Sequence, residues 1–105
     1  MMKIEIVLDE DKIRAEGEYE VDEIKRCVCV PFEEKMLSKI ETNDGSIVYC
    51  DMDCDDKHVQ LLSASISLTD EAWFAHYVKK WVCIDDGDEE DVLASAKKIK
   101  VGVFA

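Results

Sequence analysis

Proline is almost missing from this chain, at one residue in 105, and glycine is scarce at four. One proline rules out a proline-rich linker or extended recognition segment. Four isolated glycines form neither a phosphate-cradling loop nor a dinucleotide fingerprint, and there is no Gly-x-Ser-x-Gly elbow. No window approaches the run of about 20 apolar residues needed to cross a bilayer, and the first residues lack the apolar region of a signal peptide. The expectation is a cytoplasmic protein. Positive charge is also short: 13 Lys and Arg face 25 Asp and Glu, for a formal net charge of -12. Such a surface repels phosphate backbones and anionic lipid, which speaks against nucleic-acid and membrane partners and for a basic protein partner.

What is present is enough apolar material to fold. The chain is 48% hydrophobic, and its length suits a single domain, 1–105, with one core and no obligatory metal or disulfide. The five cysteines (Cys27, Cys29, Cys50, Cys54, Cys83) are odd in number. In a reducing compartment they read as free thiols.

Periodicity changes several times along the chain. Ile4, Ile6 and Leu8 alternate with polar residues as in a half-buried strand. Residues 9–20 are acidic with few anchors and read as a connection. Asp22 caps a short helix carrying Val21, Ile24, Cys27 and Val28, which Pro31 interrupts before a second helical piece with Phe32, Met36, Leu37 and Ile40. Thr42 to Gly45 make a turn. Ile47 to Met52 and Leu62 to Leu68 then read as the two strands of a hairpin, the second from its alternation of Leu62, Ala64, Ile66 and Leu68 with serines, and residues 51–56 form the tip. Thr69 starts a helix that runs through Trp73, Phe74, Tyr77, Val78, Trp81, Val82 and Ile84. A last helix spans Asp88 to Lys98, and Val101 to Phe104 make a final strand. This order predicts an α+β two-layer sandwich, with an antiparallel sheet and helices on one face. Its leading topology is a ferredoxin-like βαββαβ arrangement with a split second helical region.

The residues able to carry chemistry are few. Cys50, Cys54 and His58 recur at intervals of four, but a zinc site draws its ligands from close Cys-x-x-Cys knuckles, and Cys50 lies on an apolar strand. Cys54 and His58 remain the metal or thiol candidates, and a core cysteine beside a solvated acidic turn is the plainer reading. Asp51, Asp53 and Asp55 have the spacing of a calcium loop, yet Asp56 stands where Gly is required and Leu62 where Glu is required, which excludes an EF-hand. Cys27 and Cys29 are not a redox pair and read as packing residues. His76 sits beside lysines on a polar helix face, and the row Trp73, Tyr77, Trp81 reads as core before it reads as a partner surface. No cofactor is called for.

The segment Glu71-Ala72-Trp73-Phe74, continuing to Val78, Lys80-Trp81 and Asp85-Asp86, resembles small acidic proteins of uncharacterised function carried on bacterial integrative and conjugative mobile elements. The resemblance implies a mobile-element origin and supplies no activity or site residues; the extra cysteines and Val101-Gly102-Val103-Phe104 depart from that pattern.

Two functions of different classes are therefore in view. One is a protein-interaction module docking on a basic partner through acidic clusters at residues 9–23, 51–56 and 85–91, with Glu16, Glu18, Glu20, Asp51, Asp53, Asp55 and Asp56 as contact residues. A mimic of nucleic acid is one version of it, and requires these clusters to form one stripe. The other is a small metal- or thiol-dependent enzyme or sensor using Cys54, His58 and nearby carboxylates; without a catalytic signature, a non-enzyme is the expectation. A homodimer through the aromatic helix or an open sheet edge is compatible with either.

Overall fold

The computed structural model describes residues 1–94. Five strands form one antiparallel sheet in the order β2-β3-β1-β4-β5. The strands are β1 (Met2–Leu8), β2 (Ser38–Ile40), β3 (Ile47–Cys50), β4 (Val78–Asp85) and β5 (Asp88–Asp91). Helices α1 (Glu10–Glu16) and α2 (Val21–Glu34) connect β1 to β2, and α3 (Asp55–Ser67), a 3₁₀ turn (Leu68–Asp70) and α4 (Ala72–Tyr77) connect β3 to β4. The first four strands thus follow the βαββαβ connectivity with the split order of the ferredoxin-like arrangement, and β5 extends the sheet as an added edge hairpin. The expected α+β class and antiparallel sheet are what the chain forms, with different segments serving as several of its elements.

β1 is the centre of the design. Met2, Ile4, Ile6 and Leu8 are buried while Lys3, Glu5 and Val7 are half-buried, because successive residues of a strand point to opposite faces. Ile4 stands opposite Tyr49 and Cys83, and Ile6 opposite Ile47 and Trp81, so these side chains share the face that meets the helices. All four helices reach it: Ile13 from α1, Ile24, Val28 and Phe32 from α2, Leu61 and Ala64 from α3, and Phe74 and Tyr77 from α4 belong to one buried cluster. Trp81 is its largest member, packed edge-on against Phe74 at 5.2 Å, and its Nε1–H donates to Ser65 Oγ at 2.9 Å, which accounts for a buried serine on α3. The other face carries charge as well as apolar groups, including an ion pair of 2.8 Å between Lys80 and Glu5.

Several sequence expectations are corrected. Residues 10–16 are a helix, not a connection: Asp9 Oδ1 accepts from Lys12 N at 3.2 Å at its start, and Gly17, at φ +66°, closes it with its N–H on Ile13 O. Pro31 does not interrupt α2. The helix continues because Ile24, Val28 and Phe32, each four residues apart, bury one stripe, and Phe32 stacks on Tyr49 at 4.5 Å. Helix α2 stops at Glu34; Met36 turns at φ +56°, Leu37 N–H reaches back to Phe32 O, and residues 38–40 are a short strand where a helical piece was expected.

The hairpin of strands 47–52 and 62–68 does not form. The first half is β3, but the second is helix α3, which buries Leu61, Ala64 and Ser65 at helical spacing, continued by Leu68 of the 3₁₀ turn, and leaves Leu62 and Ile66 exposed. The helix expected over 69–84 covers only Ala72–Tyr77, after which the chain becomes β4. The helix expected from Asp88 begins instead as β5, paired with β4 across an Asp86-Gly87 turn, and helical residues start at 92. The rest of that helix and the strand at 101–104 lie outside the described residues.

Candidate functional site

The acidic runs at 51–56 and 85–91 are far apart in sequence, and the sheet brings them to one end. Met2 pairs with Asp85 on β4, and Asp51 follows β3 directly, donating its N–H to Met2 O at 3.2 Å. Asp51 organises this end. It is 4% exposed, and its Oδ1 accepts from Met2 N at 3.1 Å and from Asp53 N at 2.9 Å. Its Oδ2 lies 3.1 Å from His58 Nδ1. Burial pushes the Asp51 carboxyl up, but the Asp53 N–H, the His58 imidazole and the Met2 N–H together outweigh it and hold the group below the ordinary carboxylate range. An ionised carboxylate only accepts, so Nδ1 of His58 carries the proton and Nε2 is left for other work.

The turn held by Asp51 is tight. Met52 and Asp53 adopt φ of +52° and +59°, in the left-handed region that ordinary residues rarely occupy. Cys54 N–H returns to Asp51 O at 3.0 Å, and His58 N–H to Cys54 O at 2.8 Å, so Cys54 stands at the start of α3 with His58 one turn on. Asp55 and Asp56 occupy the first turn of α3, where the helix dipole favours negative charge. Across the gap, Asp86 and Gly87, both at positive φ (+50° and +91°), make the reversed turn that a two-residue hairpin requires. The Met1 amino group bridges the two runs, 2.7 Å from Asp53 and 3.0 Å from Asp86.

Between them lies a cleft of about 310 Å³ that His58, Leu62 and Met2 line from one side and Cys83, Asp88 and Glu90 from the other. Cys83 is a poor nucleophile there: burial raises its pKa first, and Glu90 and Asp85 raise it further. Among the described residues no group of three or more His, Cys, Asp or Glu side chains is placed to hold a metal ion. Of the metal candidates, His58 turns its Nδ1 to Asp51, and Cys54 is an exposed, free thiol.

The remaining acidic residues sit at the opposite end. Asp9 N–H meets Tyr77 O beyond the far end of β1, and Glu16 accepts there from His76 Nε2 at 2.8 Å and Tyr77 OH at 3.1 Å. His76, then Tyr77, hold the Glu16 carboxyl below its usual range against the opposing effect of burial. Glu18 and Glu20 are exposed beside a shallow cleft between α1 and α2, and Glu20 also starts α2, its N–H donating to Glu23 Oε1 at 3.2 Å. The length of β1, roughly 3.3 Å per residue, separates the two ends. The three acidic clusters therefore make two groups and no single stripe.

The sequence singled out Asp51, Asp53, Cys54, Asp55, Asp56 and His58, and all of them belong to one end; Glu16, Glu18 and Glu20 belong to the other. Cys83 and the position of the β4–β5 hairpin were missed, although Asp86-Gly87 is a hairpin signal. No family model matches the chain, and no curated protein or solved structure matches it either. No helix of the described residues is long and apolar enough to cross a membrane.

Proposed function

We propose that this protein is an interaction module that docks on a basic protein surface through the end formed by residues 51–56 and 85–91. The supporting observation is the convergence of two acidic runs on one end of the sheet. Asp53, Asp55 and Asp56 are exposed, all four residues of β5 are exposed, and the buried Asp51 fixes the turn that presents the first group. Charges clustered on a fixed scaffold steer a cationic partner and set its register without reorganising on binding. The metal- or thiol-dependent alternative draws less support, because among the described residues no three His, Cys, Asp or Glu side chains are grouped to hold a metal ion, and burial with Glu90 and Asp85 raises the Cys83 pKa.

The test compares two variants in capture from a cell extract. Neutralising β5 with Asp88→Asn, Glu89→Gln, Glu90→Gln and Asp91→Asn is expected to abolish capture of the proteins the parent retains at low salt. Glu18→Gln with Glu20→Gln at the far end is expected to preserve it. Captured proteins identified by mass spectrometry should be basic and should elute as ionic strength rises. Retention unchanged by salt, or equal loss in both variants, would overturn the proposal.

A further inference from the structure

Away from the acidic end, three elements converge on Cys29. Helix α2 places its thiol toward the sheet, 5% exposed, against β3. Lys39 of β2 stands directly opposite Tyr49 of β3, and its ammonium lies 4.0 Å from Cys29 Sγ. Tyr49 is 2% exposed, with its ring stacked parallel on Phe32. Its hydroxyl is buried without a hydrogen-bond partner, the one side-chain polar atom so placed among the described residues. Burial, then the approach of its hydroxyl to the Cys29 thiol, raises the Tyr49 pKa, so the group stays an O–H donor facing at most a weak sulfur acceptor that is out of bonding geometry. A buried donor with no acceptor is costly, and native proteins retain few of them.

We propose that Cys29 is a modification site, oxidised by hydroperoxides to a sulfenic acid that Tyr49 and Lys39 hold in place. Cys29 sulfur attacks one oxygen of hydrogen peroxide, an S–O bond forms and the O–O bond breaks. The departing hydroxide takes the thiol proton and leaves as water, the sulfur losing two electrons to the peroxide. The oxygen gained by Sγ is the acceptor that the Tyr49 hydroxyl lacks, and the Lys39 ammonium is a second donor to it. Peroxide is little larger than water, so the narrow exposure of Cys29 admits it while excluding bulkier reagents. The sulfenic acid persists because no second thiol reaches it: Cys27, two residues away on the same helix, points about 200° around the axis, and Cys50 lies on the opposite face of β3, in register with Lys3.

The five free thiols of the intact chain provide an internal comparison. After brief exposure to a small excess of hydrogen peroxide, removal of the excess with catalase and unfolding in urea that contains dimedone, peptide mass spectrometry should place the adduct on Cys29 severalfold above the exposed Cys27 and Cys54. Tyr49→Phe keeps the stacked ring, and should reduce the Cys29 adduct by about two- to tenfold, the range of one hydrogen bond. Lys39→Met should reduce it in the same direction. Labelling that follows exposure, with Cys27 and Cys54 first, would overturn the proposal, as would a Cys29 disulfide or a Tyr49→Phe protein that labels like the parent.

Discussion

Replacing Tyr49 by Phe should stabilise this protein. The substitution deletes one atom, the buried hydroxyl oxygen that has no partner, and leaves the stack on Phe32 intact. In the unfolded chain that hydroxyl is hydrated, so folding the parent strips it of water with no replacement, a penalty of about 1–3 kcal/mol. The void left behind, roughly 10 Å³ at about 24 cal/mol per Å³, takes back only about 0.2 kcal/mol. The net gain is about 1–3 kcal/mol, or roughly 4 °C or more in Tm for a domain of this size. Urea unfolding followed by far-UV circular dichroism reads it as a higher midpoint with an unchanged slope. A midpoint equal to or below that of the parent would mean that the hydroxyl is satisfied in solution, and would remove the orphaned donor from the reasoning about Cys29 as well.

Four further outcomes follow from three other sites. Asp51→Ala leaves the N–H groups of Met2 and Asp53 without their acceptor and should cost about 2–3 kcal/mol in the same urea assay. The folded pKa of Asp51 is lowered, so its contribution is complete above the unfolded value of about 4 and fades as pH falls through the folded value below it; the stability difference between the parent and Asp51→Asn should shrink over that acid range. Gly87→Ala meets no atom within 4 Å but forces a side chain into φ +91°, and should lower stability by about 1 kcal/mol through backbone strain alone. Pro31→Ala restores the N–H that the Cys27 carbonyl of α2 lacks and should raise the unfolding midpoint, by about 1–3 kcal/mol in stability; a decrease would mean that α2 needs the proline for its path.

The parts of the fold legible in the sequence were those where one period stood alone. β1 alternates cleanly because one face is core and the other is charged, and Ile47 to Cys50 is a short apolar run with a β-branched start. In α3 two periods coexist. The apolar and serine alternation from 62 to 68 mimics a strand, while Leu61, Ala64 and Ser65, continued by Leu68 of the 3₁₀ turn, carry the helical stripe that the core selects. Local pattern cannot decide between them; the neighbouring strands do. The junction at Tyr77 and Val78 carries no Gly or Pro, so α4 and β4 merge into one apparent helix, and only the β-branched Val78, Val82 and Ile84 hint otherwise. β5 has four acids and no strand propensity at all, and exists because its turn returns it to β4. For the site, both acidic runs, 51–56 and 85–91, stood out in the sequence, but their convergence on one end, which the pairing of β1 with β3 and β4 makes, did not.

The central place of β1 also fixes the order in which this molecule can be made. Both of its neighbours come later, β3 after α1, α2 and β2, and β4 after α3 and α4, with Met2 finding its partner only at Asp85. A ribosome therefore releases β1 well before either strand that pairs with it, and until then only α1 and α2 can cover its apolar face while both backbone edges stay open. Pairing so distant in sequence makes folding slow relative to a helical domain of equal length. During that interval the open strand is exposed to wrong partners, and dense negative charge on the emerging chain is what keeps two such intermediates apart.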